Sequence, residues 1–161
     1  MKIIPYIIYL YLIAFHYTIL SEIVDIYQIT FDLAAVIVGL IAMYRSESVA
    51  LWFALAAAVV AGSRNPELIP WEILLLGGTA VVVNQVSLRV NLESIASRLF
   101  IIGGLVFVHV LAVDLLVSRA DVLFSIYRHI LPTVLYSLVV LWILFLIIDK
   151  KLTWPKIKSL F

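Results

Sequence analysis

Apolar positions in this chain come in long unbroken runs, at residues 3–20, 29–44, 49–62, 68–88, 99–117 and 130–148. Barrel strands alternate apolar and polar positions, so continuous runs of this kind predict helices. At helical rise the first run extends about 27 Å, close to the roughly 30 Å of a bilayer's hydrocarbon core. The third reaches only about 21 Å, so a re-entrant course, leaving five crossings, stands beside a full span. Its alanines, Ala54, Ala56, Ala57, Ala58 and Ala61, make it a thin helix that neighbours can approach closely. Polar breaks separate the runs: Ser21-Glu22-Ile23-Val24-Asp25, Arg45-Ser46-Glu47-Ser48, the turn Gly62-Ser63-Arg64-Asn65-Pro66 and a linker over residues 89–98. Pro70 and Glu72 open the fourth run with residues suited to a helix start, and Trp71 fits the aromatic belt at a membrane surface.

Composition strengthens the membrane reading. Of 161 residues, 65% are hydrophobic and 13% charged, and the mean hydropathy is +1.19. A soluble domain carries about 45–50% apolar and about 25% charged residues, and a chain of this size keeps much of its surface in water. The expected fold is therefore all-α: one polytopic transmembrane bundle of six helices over residues 1–161, ending in a basic interfacial tail over residues 149–161. The N-terminal run has no small-x-small cleavage pattern and reads as a retained span. With six spans, Lys2, Arg45, Arg89, Arg98, Lys150, Lys151, Lys156 and Lys158 share one side, and Arg64, Arg119 and Arg128 the other. That asymmetry predicts both termini in the cytoplasm. The tail lysines, with Trp154, suit an anionic leaflet or a cytoplasmic protein partner; nucleic acid fits so short a tethered segment poorly.

Ionised groups inside a bilayer cost roughly 2.5–3.5 kcal/mol each at a helix centre, so those present need an account. Asp32, about one turn into the second run, and Glu72, at the start of the fourth, both fall near the non-cytoplasmic end. Each suits a carboxylate stabilised at a helix N-terminus, or a shared polar contact with Arg64 as cation. Asp114 suits either an interfacial pairing with Arg119 or Arg128 or a buried pairing that fixes helix packing. His109 shares its helix but points about 140° away from Asp114, so the two form no dyad. Asn84 and Gln85 read as interhelical hydrogen-bonding groups or as contacts to a ligand or partner. Gly77-Gly78 and Gly103-Gly104 predict close helix crossings. No metal-ligand spacing, phosphate-binding loop or convergent nucleophile and base is present, and no cofactor is expected. Absence of cysteine excludes disulfides and thiolate chemistry.

Phe31-Asp32-Leu33 opens the second run, and Tyr44-Arg45-Ser46-Glu47 closes it. A small-residue-rich third run, a Pro/Gly turn and a fourth run ending in basic residues follow. Over Phe31 to about Arg98 this layout resembles the rod-shape-determining protein MreD family, whose members open the second span with a Pro-Asp-Leu-like element. Phe31 stands where proline is usual. Val60-Ala61-Gly62 replaces the acidic end of the third span, and alanines replace its glycines. The resemblance implies a non-enzymatic scaffold in the bacterial inner membrane, partnering an MreC-like protein and the wall-synthesis machinery. The same six-helix layout resembles the substrate-binding subunits of energy-coupling-factor transporters, which supplies a small-molecule-binding alternative. An accessory subunit of another membrane complex is a third.

Overall fold

The computed structural model describes residues 3–20, 29, 31–117 and 122–149. The chain is an all-α helical bundle. Helix α1 is Ile4–Phe15 and continues into a wider π-helical turn, His16–Leu20. Helix α2 is Leu33–Tyr44. Helix α3, Glu47–Ala61, runs through tight 3-10 turns at Gly62–Arg64 and Pro66–Leu68 into α4, Ile69–Ser87. Helix α5 is Ile95–Val117. A short turn, Val122–Ser125, and a second π-helical turn, Ile126–Ile130, lead into α6, Leu131–Ile148. Pro5, Pro70 and Pro132 lie in the first turns of α1, α4 and α6, where a missing N–H breaks no helical bond.

Four stretches, Glu47–Arg64, Pro66–Ser87, Ile95–Val117 and Ile126–Ile147, are long and apolar enough to cross a membrane. They make this a membrane protein. The stretch containing α3 gains length from Glu47 and the turn after Ala61, which removes the shortfall expected over 49–62 and with it the case for a re-entrant course by length. Two stretches, Ile4–Leu20 and Leu33–Tyr44, are apolar but shorter.

Helix α2 is the axis of the bundle. Every residue from Leu33 to Met43 except Leu40 is buried, because α3, α4 and α5 pack around it. A helix apolar on all sides needs such enclosure. The most extensive pairing is between α3 and α4, where Leu51 and Leu55 meet Gly77, and Ala50, Ala54, Ala57 and Ala61 recur on one buried face of α3. Large side chains point outward instead, among them Trp52, Phe100 and Tyr127, as befits surfaces solvated by lipid or covered by partners.

Helix boundaries depart from the apolar runs in three places. Helix α2 begins at Leu33 instead of residue 29, so Asp32 is its N-cap and not one turn inside it. Helix α5 begins at Ile95, which puts Arg98 inside the helix and not in a linker. Helical structure leading into α6 begins at Val122, ahead of residue 130. Polar residues at helix ends mislead a reading by hydropathy, because a buried partner or a cap suits them as well as water does.

Candidate functional site

Asp32 caps α2: its Oδ1 accepts a hydrogen bond from the Ala35 N–H at 3.0 Å, and its own N–H donates to Ser137 Oγ at 3.3 Å. One carboxylate oxygen is thereby used to start a helix, as aspartate commonly does. The other, Oδ2, faces His109 Nδ1 at 2.6 Å. On the far side of the same ring, Nε2 lies 2.8 Å from Glu72 Oε2 in the first turn of α4. An imidazole from α5 thus bridges carboxylates presented by α2 and α4. All three side chains are buried, His109 at 4% exposure and each acid at 7%.

Hydrogen-bond chemistry sets the fewest protons this cluster can hold. Each of the two bonds needs one hydrogen, and an ionised carboxylate offers none. At least two protons are therefore shared by the three groups: an imidazolium between two carboxylates, or a neutral imidazole with one acid protonated. Either two-proton distribution leaves one net negative charge, and a third proton on the Glu72 oxygen turned away from the ring makes the cluster neutral. His109 stands eight residues before the end of α5, so the cluster is recessed about 12 Å along that helix.

Beside the cluster is a cavity of about 350 Å³. Asp32, Glu72 and His109 contribute to its wall, as do Arg64, Asp114 and His129. Arg64 was the expected cation for Asp32 and Glu72; the group between those carboxylates is His109, and Arg64 lines the shared cavity. Asp114 is half-buried in the same wall, so a turn and a half of α5 brings it and His109 to one space despite their angular separation. His16, Tyr17 and Phe31 form an aromatic side, with ring centroids 5.5 Å apart for His16 and Tyr17 and 5.9 Å for His16 and Phe31. His16 is 5% exposed, and among the described residues neither of its ring nitrogens has a hydrogen-bond partner. The arrangement can hold and exchange protons. Among the described residues no group of three His, Asp or Glu side chains forms a metal site.

Other polar residues serve the opposite end of α2. Asn84 Nδ2 donates to the carbonyls of Ala42 and Arg45, both at 2.8 Å, satisfying acceptors that the end of a helix leaves open. Gln85 Nε2 donates to Glu47 Oε2 at 2.8 Å. Near them Arg98, 5% exposed, forms a two-pronged ion pair with Asp149 at 2.5 and 3.2 Å and lies 4.6 Å over the Phe145 ring. Sequence reading placed both of these residues in polar connecting segments and missed the pair. Lys150, Lys151, Trp154, Lys156 and Lys158 lie outside the described residues.

The fold and site together define an all-α membrane bundle with a buried ionisable cluster and an adjoining polar cavity. No family model matches the chain, and neither a curated protein nor a solved structure matches it.

Proposed function

We propose that this chain is a non-enzymatic integral membrane subunit of the MreD type, scaffolding cell-wall elongation proteins in a bacterial inner membrane with both termini cytoplasmic. The observation that carries the reading is the position of Asp32. It belongs to Phe31-Asp32-Leu33, the element on which the resemblance rests, and it joins α2 to α4 and α5 through His109. An acid used in this way sets the geometry of a scaffold. The exposed large side chains of Trp52, Phe100 and Tyr127 then offer surface to membrane partners. Purification of the tagged full chain in mild detergent, with mass spectrometry of what accompanies it, tests the proposal. Recovery of an MreC-like protein and wall synthases is the expected result; their absence from a stable, monodisperse preparation would sink it.

A second reading is favoured by the cavity. A volume of about 350 Å³ with convergent polar groups falls at the lower end of the range for small-molecule sites. It suits a ligand-binding subunit of the energy-coupling-factor kind, and co-purification of a paired ATPase module would select that alternative.

A further inference from the structure

We propose that the cleft between α1 and α6 binds an anionic phospholipid, with the phosphate at Arg45 and an acyl chain laid along α2. The inference depends neither on the scaffold reading nor on the ligand-binding one.

The cleft has a volume of about 750 Å³ and shares only Phe31 with the polar cavity. Its floor is α2, at the one stretch where that helix is incompletely covered, around Leu40. Helices α1 and α6 flank α2 and scarcely touch each other. Both run antiparallel to it. At one end Tyr6 of α1 meets Phe53 early in α3, and Arg98 joins Tyr44 to Asp149 at the end of α6. At the other end Phe31 is in ring contact with His16 and Tyr136, with centroids 5.9 and 6.1 Å apart.

Length is the first argument. The 12 residues of α2 extend about 18 Å, and one leaflet supplies about 15 Å of a hydrocarbon core of about 30 Å. The cleft is therefore about one leaflet deep, and Phe31 ends it. A partner's transmembrane helix would continue past that end into the second leaflet. An acyl chain stops there.

Polarity is the second, independent argument. Arg45 is exposed at the end of α2, and among the described residues it has no ion-pair partner. The nearest acid in sequence, Glu47, accepts a hydrogen bond from Gln85 instead. Asn84 covers the carbonyls of Ala42 and Arg45, masking two acceptors that would repel an anion. The Tyr44 hydroxyl accepts from Arg98 at 3.3 Å, which leaves its own hydrogen to donate. Among the described residues no carboxylate lines the cleft, and apart from Tyr6 and Tyr9 the rest of its wall is apolar. A guanidinium and a phenol at one end, with hydrocarbon along the remainder, match a lipid phosphate and its chain.

The test titrates the delipidated full chain in mild detergent with phosphatidylglycerol, with phosphatidylcholine of the same chains, and with inorganic phosphate. Tm and native mass spectrometry are read together. A saturable rise in Tm and one retained lipid are expected with phosphatidylglycerol, a weaker response with phosphatidylcholine, and none with phosphate. Equal responses to both lipids, no response to phosphatidylglycerol, or a phosphate response matching the lipid's overturns the site. Arg45→Gln should weaken phosphatidylglycerol about fivefold, equivalent to about 1 kcal/mol, and narrow its margin over phosphatidylcholine. Leu40→Trp fills the floor while leaving Arg45 in place, and should abolish lipid retention. Arg45 is exposed and its side chain holds no other described residue, so Arg45→Gln should fold even if Leu40→Trp does not. Undiminished binding in either folded variant overturns the proposal. So does a chain that is dimeric without lipid and monomeric as Leu40→Trp, which would assign the cleft to a second copy.

Discussion

His109 between Asp32 and Glu72 concentrates three ionisable groups where isolated ones would be costly. Their mutual hydrogen bonds offset that cost only while all three are present. Replacing His109 by leucine leaves two buried carboxylates facing each other and should lower unfolding stability by about 3–5 kcal/mol. Combining it with Glu72→Leu and Asp32→Asn removes the uncompensated charge and keeps a capping side chain on α2, so the triple variant should recover most of the loss. Equilibrium unfolding in mixed micelles compares the two, and a triple variant less stable than the single would contradict this account. Asp32 and Glu72 could be recognised from the sequence as acids needing a reason. Their connection to His109 could not, because the three come from separate helices and no spacing along the chain links them. One signal was present: in a six-span arrangement the start of the second run, the start of the fourth and the later part of the fifth all fall at the same end. Arg98 and Asp149 have the same explanation at the other end, where each looked like an ordinary charge bordering an apolar run.

Helices follow from the apolar runs more directly than contacts do. Continuous apolarity marks a helix, but it does not say which faces meet. The glycine pairs illustrate this. A Cβ on Gly103 would come within 2.9 Å of Leu138 on α6, whereas one on Gly104 would meet nothing within 4 Å. On α4, Gly77 faces Leu51 of α3 at 3.6 Å, and Gly78 faces open space. One member of each pair therefore serves a helix crossing, and sequence alone does not distinguish it from its neighbour. Gly103→Leu should destabilise the bundle by about 1–3 kcal/mol through overpacking. Gly104→Leu should be neutral or stabilising by up to about 1 kcal/mol, since leucine is the better helix former. Thermal unfolding of the two variants checks the contrast; equal losses would mean that α5 and α6 do not cross at Gly103.

For the whole molecule, the all-α bundle was legible because 65% hydrophobic content and unbroken runs leave few alternatives. Sidedness rests on the distribution of basic residues and has its own test, which the lack of native cysteine makes clean. Ser63→Cys, in the exposed turn after α3, should react with an impermeant maleimide in intact cells, and Glu93→Cys, exposed between α4 and α5, only after permeabilisation. Reversed labelling would invert the bundle. Helix α2, for its part, is secured at both ends and smooth between them: Asp32 fastens its beginning to Ser137 and His109, and Asn84 holds its final carbonyls. Sliding by one turn or rolling about its own axis would break bonds at both extremities simultaneously. Those bonds oppose both motions and tie α2 to α4, α5 and α6 at once, so a shift of α2 alone would cost contacts to three neighbours.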